Sequence, residues 1–187
     1  NASGAGQFFI DLAFSFAGRM RGGSAKTAIL SSALMGTISG SPIANVVTTG
    51  TFTIPLMKKD GYEPHVAGAV EAIASTGGQI MPPVMGAGAF LMAEFIGVPY
   101  TKVALAALIP AIMYFLSIFI IVDIEAIKTN IKGRPADKLP SRTETLKQGW
   151  YLIFPLVSLI YLIFSGLSVT KSVFYSIVLL IVLWAIK

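Results

Sequence analysis

Two apolar stretches of the chain are interrupted by polar residues and prolines that could together bind an ion and a solute. The first interruption runs from Thr37 to Asn45 and reads TISGSPIAN, and the second runs from Ser75 to Val84 and reads STGGQIMPPV. At bilayer depth, backbone that leaves a helix must be satisfied by protein or by ions, because lipid offers no hydrogen bonds. We therefore predict that the two breaks form two walls of one site.

The prolines in these breaks predict free backbone oxygens. Proline has no N–H, so Pro42 leaves the carbonyl of Ile38 without its helical donor, and the Pro82-Pro83 pair does the same for Gly78-Gln79. Carbonyl and hydroxyl oxygens are the ligands that hard cations prefer. The sequence thus predicts a sodium site at the breaks.

The same prolines predict an anion site beside the cation. If helices begin at Pro42 and at Pro82, two helix N-termini face the same depth, and each carries about half a positive charge. The side chains of Asn45, Thr48 and Thr49 follow within two turns of Pro42 and can donate hydrogen bonds. A carboxylate of an organic solute is the expected ligand.

The spacing of basic residues predicts how the first break is positioned. Lys26 and the pair Lys58-Lys59 bracket residues 27–57 and mark the cytoplasmic side by the positive-inside rule. Two full crossings need about 20 apolar residues each plus a turn, so this segment is too short to cross twice. A re-entrant helical hairpin is predicted, with its tip at Gly40-Ser41-Pro42, where Gly suits a helix end, Ser an N-cap and Pro a first helical position.

The second break is expected to lie in a discontinuous transmembrane helix over residues 64–98. This segment is too long for one straight crossing and too short for two, and its polar residues fall near the centre. We expect one half-helix over 64–74, an unwound stretch over 75–81 and a second half-helix over 82–97. The other predicted segments are the end of a preceding helix (5–17) with a cytoplasmic turn (together 1–26), an ordinary span (99–122), a basic cytoplasmic loop (123–148) and a last transmembrane pair (149–187), which makes about three ordinary spans.

Composition indicates an all-α integral membrane protein. The chain is 55% hydrophobic and 12% charged, against about 25% charged residues in soluble domains. It has no cysteine and a single histidine, His65, which excludes thiolate and multi-histidine metal sites. The net charge of +5 sits at the ends of apolar runs, so nucleic acid is not an expected partner. No nucleophile–base pair lies at membrane depth, and we expect neither an enzyme nor a cofactor.

Two acidic residues, Glu71 and Glu94, fall within apolar surroundings, where an acid is by default a functional candidate. Glu71 lies two turns from the cytoplasmic end of its half-helix and Glu94 one turn from the far end. Both side chains are therefore expected to reach an interface. The spacing of Gly36 and Gly40 is also typical of close helix packing.

These segments resemble the large permease subunit of tripartite ATP-independent periplasmic (TRAP) transporters. The stretches that carry the resemblance are GQFFIDLA at 6–13, MGTISGSPIANVVTTG at 35–50, IPLMKK at 54–59 and GY at 61–62. The stretches AVEA at 69–72 and ASTGGQIMPP at 74–83 are similar to the fused-permease branch that works with TAXI-type solute receptors. The likeness is strong over about residues 6–125 and weak beyond them.

The resemblance implies a multi-pass protein of the bacterial inner membrane that takes up an organic acid, such as a dicarboxylate, by symport with sodium. It implies one half of an inverted-repeat, elevator-type transporter, and this sequence is expected to be a fragment of a longer permease that supplies the other half. The implied partners are a periplasmic solute-binding protein of the TAXI type and a small membrane subunit, separate or fused. Na⁺ is the implied coupling ion, with no other cofactor.

The breaks and the resemblance together assign site residues. The expected cation site comprises Ser39, Gly40, Ser41, Asn45, Gly77 and Gly78, with Ser41, Asn45 and Gly78 as sodium ligands. The expected solute site comprises Thr48, Thr49, Gly50, Gln79, Pro82 and Pro83. One alternative remains open, in which the same half-helices form the selectivity filter of an ion channel-like pore.

Overall fold

The computed structural model describes residues 4–135 and 139–186. Within these ranges the chain is all-helical and contains no strand, which confirms the all-α part of the prediction. It forms two compact units, one up to Arg142 and one from Thr143 onwards. The helices are α1 (Ala5–Ala17), α2 (Gly23–Ser39), α3 (Pro42–Lys59), α4 (Pro64–Gly77), α5 (Ala87–Ile96), α6 (Tyr100–Lys128), α7 (Arg142–Phe164) and α8 (Val169–Ile186).

The α2–α3 hairpin has the caps that its sequence predicts. Gly40 ends α2 in the left-handed region, with φ of 57°, a conformation that glycine adopts without steric cost. Ser41 is the N-cap of α3, and its side chain accepts a hydrogen bond from the Ala44 N–H at 3.4 Å. Pro42 occupies the first turn of α3. The predicted position of the tip is confirmed, whereas the arms are longer than expected and extend from 23 to 59.

The second break lies further along the chain than predicted. α4 continues to Gly77 and α5 begins only at Ala87, so the break spans residues 78–86. The expected unwound stretch over 75–81 is therefore confirmed for residues 78–81 and wrong for residues 75–77, and the expected helix start at Pro82 is wrong. Both prolines lie inside the irregular segment instead of opening the second half-helix.

Long-range hydrogen bonds hold the break in its irregular path. The Val84 N–H donates to the Thr37 carbonyl at the end of α2, at 3.3 Å. The Tyr100 hydroxyl lies 2.7 Å from the carbonyl oxygens of both Pro83 and Val84. Because α2 and α6 supply these partners, the break depends on tertiary contacts that the local sequence does not specify.

α6 is the one helix in the described part of the chain that is long and apolar enough to cross a membrane by length and composition. It begins at Tyr100, continues through Pro110 and ends at Lys128, beyond the expected end of the span at 122. α7 starts at Arg142, so the loop expected over 123–148 is helical at both ends. Shorter apolar helices lie at 6–17, 87–96, 149–164 and 169–183.

α2 is the central helix of the first unit and packs against α1, α3, α4 and α6. Its first turns contribute Ala25, Ala28 and Ile29 to an apolar core that Met57 of α3 and Val122 of α6 complete. The small residues of α2 allow its neighbours to approach closely. The hairpin tip and the helix break lie together at the C-terminal end of α2, where the Val84 N–H donates to the Thr37 carbonyl.

An ion pair ties the N-terminal end of α2 to α6. Lys26 Nζ lies 2.5 Å from Asp123 Oδ1, and the Lys26 side chain is only 3% exposed. Arg21 binds the other carboxylate oxygen of Asp123 at 3.0 Å. Lys26 Nζ also lies 4.8 Å from the centroid of the Phe119 ring. A buried lysine therefore has both an anionic and an aromatic partner.

The segment after α6 is bound to the same end of the unit. The Gly22 N–H donates to the Ile131 carbonyl at 3.3 Å, and the Arg134 N–H donates to the Gly18 carbonyl at 2.9 Å. Arg134 Nε donates to Asp60 Oδ1, also at 2.9 Å. The turn after α1, the turn after α3 and residues 131–134 are thus joined by polar contacts.

The second unit consists of most of α7 together with α8. Leu159 and Ile163 of α7 are buried. In α8, Ser172 donates to the Ser168 carbonyl at 3.0 Å and Ser176 to the Ser172 carbonyl at 2.8 Å. These bonds satisfy hydroxyl groups within the helix, as an apolar environment requires.

Candidate ion and solute site

The hairpin tip lies directly against the second break. A Cβ atom added to Gly40 would overlap the Met85 carbonyl, and one added to Gly86 would lie 3.4 Å from the Gly40 carbonyl oxygen. One turn before the tip, the backbones of Gly36 and Gly78 are in contact, since a Cβ on Gly78 would lie 2.9 Å from the Gly36 Cα. Glycine at these positions allows the two breaks to meet.

The backbone oxygens that the prolines were expected to free are mostly engaged. The Gly78 carbonyl accepts the Met81 N–H at 3.3 Å, and the Gln79 carbonyl accepts the Gly86 N–H at 2.7 Å. The prediction that Pro82 and Pro83 leave these two oxygens without donors is therefore wrong. The irregular segment folds back on itself and provides replacement donors.

A buried polar cluster lies where α2, α3 and α4 meet, and it comprises Glu71, Ser32, Thr49, Thr53 and Ser75, hereafter the Glu71 cluster. All five residues are 0% exposed. The hydroxyl oxygens of Thr49 and Thr53 lie 2.5 Å from Glu71 Oε1 and Oε2, respectively. Those of Ser75 and Ser32 lie 3.2 Å and 3.4 Å from Oε1. Four hydroxyl groups from three helices therefore surround one carboxyl group.

The position of Glu71 contradicts the expectation that its side chain reaches an interface. That expectation considered how far Glu71 lies from the helix end and not which face of α4 it occupies. A sequence signal was available, because Asn45, Thr49 and Thr53 recur every four residues and mark one polar face of α3. Ser75 follows Glu71 by the same interval on α4. Glu94, by contrast, is exposed.

Two of the expected cation residues, Asn45 and Gly78, lie close to each other. Asn45 is fully buried, and its amide nitrogen donates to the Ser32 carbonyl at 2.9 Å. The same amide nitrogen would be 3.1 Å from a Cβ on Gly78. The buried Ser39 hydroxyl has no hydrogen-bond partner among the described residues. The Ser39 hydroxyl and the Asn45 amide oxygen can therefore form further hydrogen bonds or bind a cation.

Other expected cation ligands are placed differently. The Ser41 side chain caps α3, and Gly40 lies against Met85. Gly77 faces α6, because a Cβ on it would lie 2.5 Å from the Tyr114 ring and 2.8 Å from the Phe115 ring. Close packing against α6 therefore explains the glycine at 77.

The expected solute residues do not lie in one place. Thr49 belongs to the Glu71 cluster, and Gly50 packs on Glu71, since a Cβ there would be 3.0 Å from Glu71 Cγ. The Thr48 hydroxyl donates to the Ala44 carbonyl at 2.7 Å. Pro82 is half-buried and Pro83 is buried in the break, whereas Gln79 is exposed.

A cavity of about 920 Å³ opens between the hairpin tip, the break, α5 and α6. Its polar groups include Ser41 and Gln79 from the two breaks and Lys102 from α6. Pro42 at the start of α3 and Ala87 at the start of α5 also line it, so two helix N-termini border the cavity. Of the expected solute residues, only Gln79 is part of its lining.

A helical hairpin whose tip meets a helix break beside a cavity, in an apolar all-helical chain, is consistent with a subunit of a membrane permease. The chain belongs to the family described as "Tripartite ATP-independent periplasmic transporter, DctM component", which it matches over residues 1–187. This confirms the family resemblance seen in the sequence.

Several curated relatives are named TRAP transporter large permease proteins. The putative TRAP transporter large permease protein of Haemophilus influenzae is 33% identical over 113 residues, which are 60% of this chain and 26% of the relative. The C4-dicarboxylate TRAP transporter large permease protein DctM of Pseudomonas aeruginosa is 25% identical over 87% of this chain and 38% of its own length. The ectoine/5-hydroxyectoine TRAP transporter large permease protein UehC of Ruegeria pomeroyi is 26% identical over 79% of this chain and 34% of its own length. The chain thus spans about a quarter to two-fifths of these relatives.

Proposed function

We propose that this chain is part of the large permease of a TRAP transporter that takes up an organic acid, such as a dicarboxylate, across the bacterial inner membrane with Na⁺ as coupling ion. The observation that carries the proposal is the contact between the hairpin tip at Gly40 and the break at Met85, beside a cavity of about 920 Å³. In this proposal α2 and α3 form a re-entrant hairpin, and α4 and α5 form one discontinuous crossing. The transport domain moves as an elevator.

The proposed sodium site lies where the end of the α2–α3 hairpin meets the start of the second break. It uses backbone groups of Gly40, Gly77 and Gly78 together with backbone and side-chain groups of Ser39, Ser41 and Asn45. Two observations among the described residues support it: the buried Ser39 hydroxyl has no partner there, and the one hydrogen-bond contact of Asn45 Oδ1 there is a long one, 3.5 Å from the Thr49 hydroxyl. Neutral oxygens of this kind suit a hard monovalent cation. Gly77 has no side chain and can contribute only its carbonyl oxygen, while its α-carbon packs against α6.

The proposed solute site is the cavity itself. A carboxylate group there is favoured by the N-termini of α3 and α5 and by the ammonium group of Lys102. Gln79 can hydrogen-bond the rest of the solute. The cavity volume is within the range of about 300–1,000 Å³ that small-molecule sites occupy. Two relatives whose names differ in solute, a C4-dicarboxylate and ectoine, indicate that the family scaffold accepts different compounds.

The proposed partners are a periplasmic solute-binding protein, a small membrane subunit and the rest of the permease. The similarity of residues 69–83 to the fused branch supports a TAXI-type binding protein and a small subunit that is separate or fused. Because the chain spans only about a quarter to two-fifths of its relatives, the second half of the solute site is assigned to the rest of the permease.

Uptake by proteoliposomes that contain the complete transporter tests this proposal. Labelled organic acid is supplied on its purified binding protein, with an inward gradient of either Na⁺ or K⁺ and with no ATP. Uptake should require Na⁺ and the binding protein. Asn45→Ala should raise the Na⁺ concentration for half-maximal uptake about tenfold or more, because it removes a buried oxygen beside the break. Thr51→Val, on the exposed face of α3, is the matched control and should leave it unchanged.

Three results would contradict the proposal. Uptake driven equally by K⁺, or lost only when ATP is removed, would exclude sodium coupling. An unchanged sodium dependence in Asn45→Ala would remove this residue from the cation site. Ionic conductance without the binding protein would favour the channel-like alternative.

A further inference from the structure

The carboxyl group of Glu71 is buried without a cationic partner in the described part of the chain. The elements packed around it are α2, α3, α4 and α6, and the groups that touch the carboxyl are the neutral hydroxyls of the Glu71 cluster. The other titratable groups on these helices are engaged or exposed elsewhere. Lys26 and Asp123 pair with each other, and the hydroxyls of Tyr100 and Tyr114 donate to backbone carbonyls. Glu125 is a partly exposed acid, and the remaining groups are exposed: Lys58, Lys59, His65, Lys102 and Lys128. A negative charge on Glu71 would therefore have no opposite charge nearby.

The Thr53 hydroxyl of the cluster has two acceptor oxygens within reach but only one proton to donate. Thr53 Oγ1 lies 3.0 Å from the Thr49 carbonyl and 2.5 Å from Glu71 Oε2. A hydroxyl has one proton, so it cannot donate to both oxygens. If Glu71 carries a proton on Oε2, it donates to Thr53 Oγ1, and Thr53 donates to the Thr49 carbonyl. The contacts of Thr53 Oγ1 with Glu71 Oε2 and with the Thr49 carbonyl are then both hydrogen bonds.

The cluster leaves no space for a metal ion between the carboxyl and its closest partners. An oxygen–oxygen distance of 2.5 Å at both Thr49 and Thr53 is that of a direct hydrogen bond. The backbone of α3 closes one side, because a Cβ on Gly50 would lie 3.0 Å from Glu71 Cγ and 3.5 Å from Cδ. A proton is the one cation that needs no additional volume.

From these contacts we infer that Glu71 is a proton-binding site and holds one proton when α3 is packed on α4. Binding converts the Glu71 carboxylate and one H⁺ into a carboxylic acid, which hydrogen-bonds within the Glu71 cluster. Release returns H⁺ to water and leaves a carboxylate that favours hydration, and therefore separation of α3 from α4. Closure of the hairpin on the broken helix is thereby linked to proton uptake. This inference is independent of whether Na⁺ drives transport.

Infrared spectroscopy of the protein in lipid nanodiscs, with ¹³C-labelled glutamate and at neutral pH, tests the inference. The wild-type protein should show a carboxylic-acid C=O band that shifts to lower frequency in D₂O. Glu71→Gln should remove this band and Glu94→Gln, on an exposed position, should retain it. Thr53→Val keeps the size of the side chain but removes the hydrogen-bond partner, so it should move the band to higher frequency.

The Thr53→Val spectrum keeps the inference testable if Glu71→Gln does not fold, because it retains Glu71. A wild-type spectrum with no carboxylic-acid band at neutral pH would overturn the inference. So would a band that persists in Glu71→Gln, since the proton would then be on another residue. A band that appears only after Na⁺ is removed would show that a metal ion, not a proton, neutralises Glu71.

Discussion

The backbone contact between Gly36 and Gly78 predicts that adding a single methyl group will separate the hairpin from the broken helix. A methyl on Gly36 would overlap the Gly78 Cα, and one on Gly78 would lie 2.9 Å from the Gly36 Cα. Carbon atoms in contact normally lie about 3.5–4.0 Å apart, so α2 and α4 must part by about 1 Å. Neither partner atom can move away alone, because both belong to the backbone.

The expected cost of Gly36→Ala follows from two opposing terms. Overpacking costs about 1–3 kcal/mol, and a clash with backbone belongs at the upper end of that range. Alanine in place of glycine within a helix stabilises the folded protein by about 1 kcal/mol. The net loss is about 2 kcal/mol, which for a chain of this size corresponds to a fall of about 4–8 °C in Tm.

Gly68→Ala is the matched control for this experiment. Gly68 lies within α4, and no atom would lie within 4 Å of an added Cβ. The control should gain helix stability and raise Tm by about 2–4 °C. Both variants and the wild type are melted in the same detergent and followed by circular dichroism. A Gly36→Ala protein as stable as Gly68→Ala would show that α2 and α4 do not touch at this point.

Three further predictions concern single polar groups, each measured by Tm. Asp123→Asn leaves the buried ammonium group of Lys26 without its anion and should lower Tm by several degrees even at high salt, whereas an unchanged Tm would show that the pair is not formed. Tyr100→Phe removes the donor to the Val84 carbonyl and should cost about 1 kcal/mol, or about 2–4 °C, and a smaller change would mean that the break is held by other contacts. Tyr62→Phe should not destabilise the protein, because the buried Tyr62 hydroxyl has no hydrogen-bond partner among the described residues; a fall in Tm would contradict this. Since burial raises the pKa of Tyr62 to about 12, wild type should lose stability relative to this variant only as pH rises above about 10.

The hairpin tip could be predicted because its determinants are local. Gly40, Ser41 and Pro42 each have a strong preference for one position at a helix boundary, and no distant residue is needed to place them. The family could be predicted for a similar reason, since long contiguous motifs carry it. The helix over 5–17 also begins and ends where the sequence indicates.

The second break could not be placed from local preferences. Pro82 is well suited to begin a helix, yet Val84 donates to Thr37 and Tyr100 donates to the break. These partners are distant in sequence, and they stabilise irregular backbone up to Gly86. The preference of proline for the first turn of a helix would instead end the irregular segment at Pro82. The prediction of free carbonyl oxygens was wrong for a similar reason, because the Gly86 N–H donates a hydrogen bond to the Gln79 carbonyl.

The buried position of Glu71 was missed because depth and orientation are separate properties. Distance from a helix end indicates whether a side chain can reach water, but its face decides whether it does. Thr49 and Thr53 could have revealed that face, since their spacing aligns them on one side of α3. Polar residues that recur every four positions on one helix, with an isolated acid on a neighbouring helix, are a signal that sequence analysis can use.

The polar contacts that bind residues 131–134 to the turns after α1 and α3 have a practical consequence. Asp60 and Arg134 bring the end of the hairpin and the segment after α6 together, so the two ends are coupled mechanically. Spectroscopic probes attached at the exposed residues Lys59 and Lys128 should therefore keep one separation during the transport cycle proposed above. The distance between these two probes would serve as a constant reference for distance changes measured elsewhere in a complete transporter.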